Sequence, residues 1–208
     1  MESKLFTPVT FGPLTLRNRT IRSAAFESMC PGNAPSDMLL DYHRSVAAGG
    51  IGMTTVAYAA VTQSGLSFDR QLWMRPEIIP GLRRLTDAIH AEGAAAGIQL
   101  GHCGNMSHKS ICGCMPVGAS SGFNLYSPTF VRGLRADELP EMARAYGRSV
   151  NLAREAGFDS VEIHAGHGYL ISQFLSPSTN HRKDEFGGSL QNRMRFMDMV
   201  MELSLIHI

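Results

Sequence analysis

The stretch AREAGFDSVEIHAGH, residues 153–167, contains the end of an amphipathic helical pattern, then a glycine, then a short apolar strand that ends in polar side chains. Two further stretches repeat this order, VAAGGIGMTTVAYAAV at 46–61 and HAEGAAAGIQLGH at 90–102. A unit that recurs in this way is typical of architectures built from repeated pairs of helices and strands. We therefore predict an α/β fold in which helices cover a central sheet.

Amphipathic helices are predicted around these strands from the spacing of apolar residues and from their stop signals. The predicted helices run from Ser36 or Asp37 to Gly49, from Pro80 to Gly93, from about Asp137 to Gly157 and over 187–203. The predicted strands are Thr20–Ala25, Ile51–Ala57, Ala96–Leu100 and Ser160–His164. Short strands that are largely apolar are typical of a parallel sheet with both faces covered. The chain thus contains four βα units.

Four βα units fit either an open doubly wound sheet or half of an eightfold barrel. An open dinucleotide-binding sheet favours the fingerprint G-x-G-x-x-G after its first strand. Residues 23–30 instead read SAAFESMC, and neither that fingerprint nor a P-loop occurs in the sequence. We therefore predict a (β/α)8 TIM barrel, of which this chain supplies about the first four βα units.

The charge balance indicates a small-molecule partner. Nineteen Lys and Arg residues are balanced by eighteen Asp and Glu residues, a formal net charge of +1, and no run of like charges stands out. This balance argues against a nucleic-acid-binding surface and against a basic membrane patch. No uninterrupted apolar stretch approaches the roughly eighteen residues that a membrane span requires, and we expect a cytoplasmic protein.

The four cysteines, at positions 30, 103, 112 and 114, include no C-x-x-C pair. Three of them fall in one loop-like stretch, HCGNMSHKSICGCMP at 102–116. Zinc or iron–sulfur ligation is one interpretation of this stretch. The simpler interpretation, which we favour, is that these are ordinary reduced thiols of a cytoplasmic protein.

Chemistry in a barrel of this type collects where the strands end and the βα loops begin. The first two predicted strand ends carry small side chains, Ala24, Ala25 and Ala57, and the third carries Gln99. Small side chains let a flat ring approach closely, and a glutamine amide offers a donor and an acceptor to the edge of that ring. Two plainer interpretations stay open, with Gln99 as a hydrogen-bonding loop residue and the alanines as core.

The fourth strand end carries His164, His167 and Tyr169 in the order His-x-x-His-Gly-Tyr. Zinc ligation needs a third ligand and usually places two histidines at i and i+4 of a helix, whereas the glycines here indicate a turn. A structural pair that binds backbone is a second interpretation. In the third, which we favour, both imidazoles donate hydrogen bonds to one carbonyl or enolate oxygen near a phenol. No metal site is predicted.

Three collinear motifs resemble those of one enzyme family. HAGHGYLISQFLSPSTNHRKDEFGGSLQNRMRF at 164–196 resembles the signature stretch of the Old Yellow Enzyme family, the NADH:flavin oxidoreductase group that includes 2,4-dienoyl-CoA reductases. KLFTPVTFGPLTLRNRTIRSAAF at 4–26 resembles the opening of that family, and IQLGHCG at 98–104 resembles its third-strand motif. The resemblance covers residues 4 to 203.

The resemblance implies an FMN-dependent oxidoreductase that uses NAD(P)H to reduce an activated C=C bond of the enoate, enone or dienoyl-thioester type. By position, it implies that His164 and His167 hold the activating oxygen of the substrate and that Tyr169 is the proton donor. The residues expected to contact FMN are Ser23, Ala24, Ala25, Phe26, Ala57 and Gln99. A [4Fe–4S] centre is an expectation for a full-length protein only, and not for this chain.

The sequence departs from the family pattern in two places. Phe26 stands where some members carry cysteine or threonine, which leaves the substrate open. The chain also supplies four of eight strands and lacks the arginine that the family places after the fifth. We expect residues 1–203 to be the N-terminal half of an FMN-binding barrel. Because SLIHI interrupts the amphipathic pattern, we expect residues 204–208 to be a non-native or truncated tail.

Two alternatives to the flavin enzyme remain at this point. In the first, the chain by itself is a catalytically inert half barrel with exposed sheet edges. In the second, the histidine pair serves a metal-dependent barrel hydrolase. Homo-oligomerisation of a full-length protein is left open.

Overall fold

The computed structural model of the protein describes residues 3–205, and these residues divide into two compact units. The first unit consists of residues 3–59, Arg70–Gln99 and Leu152–Glu162. The second consists of Ala60–Asp69, Leu100–Asn151 and residues 163–205. Within residues 3–205, no helix is long and apolar enough to cross a membrane.

The helices and strands alternate along most of the chain. In order, they are β1 (Val9–Phe11), β2 (Leu14–Leu16), β3 (Ile21–Arg22), α1 (Asp37–Ala48), β4 (Met53–Ala60), α2 (Ile79–Ala91), β5 (Ala95–Gly101), α3 (Lys109–Cys112), β6 (Val117–Gly118), β7 (Gly122–Asn124), β8 (Thr129–Gly133), α4 (Leu139–Glu155), β9 (Ser160–Ile163), α5 (Leu170–Leu175) and α6 (Leu190–Leu205). Short 3-10 turns precede α2 and α4, at Pro76–Ile78 and Ala136–Glu138.

The main sheet has four strands in the order β3-β4-β5-β9, the same order as in the chain. β3 and β4 run parallel, with Ile21 opposite Met53 and Arg22 opposite Thr54. The helices α1, α2 and α4 lie between successive strands in the sequence. Each of the four predicted strands corresponds to one strand of this sheet, and the bounds differ by up to three residues. The repeat-based prediction of four βα units therefore describes this sheet.

The predicted first strand, Thr20–Ala25, is the least accurate, because β3 ends at Arg22. The Arg22 guanidinium donates to the backbone oxygen of Ala25 at 3.2 Å and to the carboxylate of Glu27 at 2.8 Å. These bonds hold Ala25 and Glu27 to Arg22, and residues 23–26 lie outside the sheet. Sequence spacing carries no signal for these bonds, because their donor is a side chain on the preceding strand.

The helix signals in the sequence correspond closely to the observed ends. The Ser36 hydroxyl accepts from the Leu39 backbone N–H at 3.2 Å, which caps α1, and α1 ends just before Gly49. α2 begins at Ile79 rather than at Pro80, because the 3-10 turn before it leads directly into the helix. Pro80 still lies in the first helical turn, where its missing N–H costs no hydrogen bond.

Arg17 and Asn18, from the opening motif, hold together the elements of the first unit. The Arg17 guanidinium donates to the backbone oxygens of Ile51 at 2.9 Å, Glu92 at 2.7 Å and Ala47 at 2.5 Å. These three bonds satisfy carbonyl groups near the ends of α1 and α2 and before β4. Asn18 adds a bond from its amide to the backbone oxygen of Gly50 at 2.7 Å. The opening motif thus has a structural role in this fold.

The second unit contains a three-stranded sheet, β6-β8-β7, that the sequence patterns did not predict. β7 and β8 form an antiparallel hairpin in which Phe123 lies opposite Phe130, with ring centroids 5.2 Å apart. Both rings are exposed, whereas the polar Asn124 is buried, so the sequence lacks the alternation of buried apolar and exposed polar residues that predicts a strand. The stretch at 102–116 is also not wholly a loop, since α3 occupies its middle.

The core of the second unit packs α5 against α6, with the Phe174 and Phe196 rings 4.8 Å apart and both fully buried. α6 continues to Leu205, so the predicted boundary between residues 203 and 204 falls inside a helix. Ser204 is buried there and donates to the backbone oxygen of Val200 at 2.7 Å. The rest of the predicted tail, residues 206–208, lies outside the described residues.

Candidate active site

Glu27 anchors the segment after β3 to the end of β4. Its carboxylate, 4% exposed, accepts from Arg22 at 2.8 Å and from the backbone N–H of Ala57 at 3.3 Å. Arg22 also donates to the backbone oxygen of Thr55 at 2.6 Å. Burying a carboxylate is costly unless it is paired and hydrogen-bonded in this way. The network therefore holds residues 23–26 and Ala57, five of the six predicted flavin contacts, within the first unit.

His43 joins this network from α1. Its Nδ1 lies 2.7 Å from the Thr54 hydroxyl, and its Nε2 lies 3.2 Å from a Glu27 carboxylate oxygen. The ring is fully buried, and the second contact has the distance of a hydrogen bond without the alignment of one. His43 and Glu27 thus connect α1, β4 and the segment after β3 through side chains that are spread over the sequence.

We expect the replacement Glu27→Gln to lower the free energy of unfolding by about 1.5–3 kcal/mol, because the bond to the Arg22 guanidinium loses its charge assistance. Chemical denaturation of the purified chain measures the change. Glu77→Gln is the matched control, since Glu77 is exposed and a surface substitution changes stability by about 0.5 kcal/mol or less. Equal stability of the two variants would contradict an anchoring role for Glu27.

Gln99 and Ala57 have the side chains that contact with a flat ring requires, a polar amide for its edge and a small methyl group for its face. The Gln99 amide nitrogen donates to Glu162 at 2.6 Å, which orients the side chain and leaves its oxygen as an acceptor. Ala57 is buried in β4 and presents only a methyl group. Residues 23–26 combine Ser23 and two alanines with one bulky side chain, Phe26, which is 40% exposed. The Gln99 amide suits the polar edge of a flavin ring, and the small side chains suit its flat face.

His164, His167 and Tyr169 lie together in the second unit. His164 Nε2 is 3.1 Å from His167 Nδ1, and the two rings meet edge to face with centroids 5.0 Å apart. The Tyr169 ring lies 5.0 Å from the His164 ring and 6.4 Å from the His167 ring. His164 is 7% exposed, whereas His167 is an exposed residue. The three side chains that the sequence predicted to act together therefore form one cluster.

The backbone of this cluster turns sharply after β9. His167 and Gly168 both have left-handed φ angles, 53° and 70°, which are unusual for a histidine. Gln173 supports the turn from α5, because its amide nitrogen donates to the backbone oxygen of Gly168 at 2.6 Å and to that of Cys103 at 3.2 Å. Leu170 N–H donates to the backbone oxygen of His102 at 2.9 Å. These bonds compensate for the strained conformation of His167.

The hydrogen bonds of His164 indicate which of its two ring nitrogens accepts and which donates. The Gly166 backbone N–H lies 3.4 Å from His164 Nδ1, so that nitrogen is the acceptor and Nε2 of neutral His164 carries the proton. His164 then donates to His167 Nδ1. For both imidazoles to donate to one oxygen, this bond has to open. His167 is the exposed member of the pair, and rotation of its ring is the smaller change.

The exposed side of His167 opens into a cavity of about 480 Å³. The cavity is bounded by the turn at Gly168 and by the β7–β8 hairpin, and its lining residues are Asn105, Met106, Phe123, Asn124, Leu125, Tyr126, His167, Gly168 and Thr179. A largely apolar wall with a few polar groups is typical of small-molecule sites. The hairpin that the sequence did not predict thus forms one wall of a cavity beside the predicted histidine.

His102 lies at the end of β5 but is a structural residue. Complete burial lowers the pKa of its imidazole to about 3, so the ring is neutral at pH 7. Its Nδ1 accepts from the Gly104 backbone N–H at 2.9 Å, and its Nε2 lies 3.1 Å from the Ser64 hydroxyl. Among residues 3–205, no group of three or more His, Cys, Asp or Glu side chains is placed to hold a metal ion.

Two supporting residues escaped the sequence analysis, Glu27 and Gln173. Both residues lie within stretches that the sequence patterns single out, but neither side chain stands out by itself. Their partners lie 30 and 70 residues away, at Ala57 and Cys103, so no local pattern could identify them. The structure thus adds positioning residues around side chains that the sequence had already singled out.

A four-stranded sheet with helices between its successive strands defines the class of the chain as an α/β protein. The chain belongs to the NADH:flavin oxidoreductase / NADH oxidase family, whose model matches residues 4–203. Membership of this family, which the three sequence motifs indicated, is therefore confirmed.

Two curated relatives show how similar the chain is to known members. It is 42% identical over 198 residues to a 4,4'-dithiodibutanoate disulfide reductase of Rhodococcus erythropolis, with 95% of this chain and 49% of that protein covered. It is 36% identical over 207 residues to an NADPH dehydrogenase of Bacillus subtilis, with 97% of this chain and 60% of that protein covered. The chain thus spans about half to three fifths of the length of these relatives.

Solved structures agree with the predicted fold. An old yellow enzyme homologue from Zymomonas mobilis superposes with a TM-score of 0.92 at 30% identity, over 99% of this chain and 61% of that one. A 2-naphthoyl-CoA reductase superposes with a TM-score of 0.93 at 28% identity, over 98% of this chain and 33% of that one. The prediction that the chain supplies part of a (β/α)8 barrel is confirmed.

Proposed function

We propose that the protein to which this chain belongs reduces a C=C bond conjugated to a carbonyl group, with FMN as cofactor and NAD(P)H as reductant. The observation that carries the proposal is the cluster of His164, His167 and Tyr169, in which two imidazoles and one phenol meet beside a small-molecule cavity. Bound FMN supplies the hydride in such chemistry. The substrate class is an activated alkene, such as an enoate, an enone or a dienoyl thioester.

The cofactor contacts in this proposal lie in the first unit. The residues that bind FMN are Ser23, Ala24, Ala25, Phe26, Ala57 and Gln99. The small side chains admit the ring, and the Gln99 amide bonds its pyrimidine edge. Glu27 acts indirectly, because it positions residues 23–26 and the Ala57 backbone. No iron–sulfur centre is proposed for this chain.

His164 and His167 hold the carbonyl oxygen of the substrate. Negative charge develops on this oxygen as the β-carbon accepts hydride, and two N–H donors aimed at it stabilise that charge. The neutral tautomer of His164 has its Nε2–H available for this role once the bond to His167 opens. The turn supported by Gln173 holds His167 beside the cavity before the substrate arrives. The site is thus partly preorganised.

Tyr169 donates the proton that completes the reduction. Its phenol is half-buried, and its ring packs edge to face on His164. A phenol that is held against the imidazole pair can reach the α-carbon of a substrate whose oxygen the pair holds. The proton leaves the Tyr169 oxygen and forms the new C–H bond at the α-carbon.

Disulfide reduction is a second candidate, favoured by the 42% identical relative that is named a disulfide reductase. The overall reaction converts one disulfide, one NAD(P)H and one proton to two thiols and NAD(P)⁺. In this version the His164–His167 pair stabilises the departing thiolate, and Tyr169 protonates it. The same residues thus serve both substrates, and only the electrophile differs.

A stopped-flow experiment tests the proposal and separates the candidates. The protein is loaded with FMN, reduced with NADPH without oxygen, and mixed with either 2-cyclohexenone or 4,4'-dithiodibutanoate. We expect reoxidation of the flavin by the enone, followed at the visible flavin band. Reoxidation by the disulfide alone would favour the second candidate. Failure of the 208-residue chain to bind FMN would support the inert half barrel for this chain. A metal ion that stays bound to the purified chain would support the metal-dependent hydrolase.

A further inference from the structure

The stretch Cys112-Gly113-Cys114 brings two thiols together outside the cluster described above. The sulfur atoms of Cys112 and Cys114 lie 3.9 Å apart. Cys112 ends α3, and Gly113 follows it with a left-handed φ of 74°, a conformation that glycine adopts at no steric cost. This turn places both side chains on the same side of the loop. A disulfide needs its sulfur atoms at about 2.05 Å, so a small movement closes the gap.

The two thiols differ in exposure. Cys114 is exposed, whereas Cys112 is buried. The Cys112 thiol lies 3.3 Å from the backbone oxygen of His108 and 3.2 Å from that of Cys114, which holds it beneath its neighbour. An exposed thiol with a buried thiol behind it is the arrangement in which one sulfur attacks a substrate and the other displaces the product.

A cleft beside Cys114 has room for a small reactant. Its volume is about 580 Å³, and Cys114 and Met115 lie on its wall. The arginines of the cleft are already paired with carboxylates, as in Arg132 with Glu138 at 2.7 Å and Arg148 with Glu141 at 2.8 Å. Because these charges are balanced, the cleft favours an uncharged small molecule over an anion.

The other two cysteines lack this accessibility. Cys30 and Cys103 are buried, and burial raises the pKa of each thiol to about 12. A reagent cannot reach these two buried thiols, whereas Cys114 is exposed. Partial burial and the neighbouring Cys112 raise the pKa of the Cys114 thiol as well, so its exposure, and not a lowered pKa, distinguishes Cys114. Cys30 and Cys103 therefore serve as internal controls for the reactivity of the pair.

We propose that Cys112 and Cys114 form a dithiol–disulfide exchange site for uncharged low-molecular-weight disulfides, with Cys114 as the attacking thiol and Cys112 as the resolving thiol. The Cys114 thiolate attacks one sulfur of the disulfide, and the first small thiolate leaves and takes up a proton. The Cys112 thiolate then attacks the Cys114 sulfur and displaces the second small thiol. Two protein thiols are oxidised to one disulfide, and one small disulfide is reduced to two thiols.

The site is independent of the flavin chemistry proposed above, and a peptide map of the purified chain tests it. The chain is incubated with bis(2-hydroxyethyl) disulfide, quenched by alkylation and digested with trypsin. The fragment Ser110–Arg132 carries both Cys112 and Cys114 and no other cysteine. We expect it to lose two hydrogen atoms without gaining a mercaptoethanol adduct. Its oxidation should exceed that of the fragments with Cys30 or Cys103 by about tenfold or more.

Two variants assign the roles of the thiols. Cys112→Ser should trap the mercaptoethanol adduct on Cys114, because no resolving thiol follows. Cys114→Ser should abolish the reaction of the fragment, because Cys112 is buried. A stable adduct on Cys114 in the unchanged protein would overturn the proposal, and so would an unreactive fragment. Equal oxidation of all four cysteines would also overturn it, since the proposal requires the folded loop to select the pair.

Discussion

Replacement of Tyr169 by phenylalanine is expected to slow reoxidation of the reduced flavin by an enone by about 10²–10⁴-fold, the usual contribution of a positioned proton donor. Phenylalanine keeps the ring that packs on His164 with centroids 5.0 Å apart, so the cluster keeps its shape and loses only the phenolic proton. Reduction of the flavin by NADPH uses no proton from Tyr169 and should change little. Stopped-flow measurement of the two half-reactions gives both rates.

Tyr42→Phe is the matched control for this variant. The Tyr42 ring lies under the Arg22 guanidinium and edge to face with His43, contacts that phenylalanine can also make. Loss of its hydroxyl should leave both half-reactions close to those of the unchanged protein. Equal slowing of both half-reactions in the Tyr169→Phe variant would count against a role as proton donor, since it would indicate general damage to the site.

Replacement of His164 by alanine is expected to slow the same oxidative half-reaction by about 10²–10³-fold, the range found when one donor to a developing oxyanion is removed. His164 is buried, accepts from the Gly166 backbone and lies 3.1 Å from His167, so its loss removes one donor and releases the other. Substrate binding should weaken together with the rate. Rates measured over a range of enone concentrations separate the two effects.

A double-mutant cycle with His167→Ala shows whether the histidines act as a unit. Two groups that hold one oxygen are expected to give non-additive losses, with the double variant little slower than the slower single variant. His181→Ala is the control, because His181 is an exposed histidine of the same unit. Full additivity would indicate that His164 and His167 act on different atoms, contrary to the proposal.

In these proposals Phe26 contacts the flavin and also affects which substrate binds. Its ring is 40% exposed on a segment whose position depends on Arg22 and Glu27. A smaller side chain at this position would leave more room beside the ring of the cofactor. Under the proposed function, a change at Phe26 is therefore expected to alter substrate choice, and the segment that carries Phe26 is held by the ion pair of Arg22 and Glu27.

Local sequence determined the sheet, its helices and the catalytic candidates. The repeats at 46–61, 90–102 and 153–167 predicted strands in their correct order, because a helix stop followed by an apolar strand is encoded within about fifteen residues. The cluster of His164, His167 and Tyr169 was also predictable from local sequence, because all three residues lie within 164–169. The left-handed φ of Gly168 is local, since glycine adopts it at no steric cost, whereas that of His167 depends on the bonds from Gln173.

Only the tertiary structure revealed what holds these residues in place. Glu27 bonds to Ala57 and Gln173 to Cys103 across 30 and 70 residues of chain, and packing of separate elements creates those bonds. The β7–β8 hairpin was missed because its aromatic side chains are exposed, so its strands lack an alternating pattern. The Cys112–Cys114 pair was visible in the sequence as spacing alone. The sulfur–sulfur distance and the unequal burial of the two thiols, on which the proposed exchange site rests, come only from the tertiary structure.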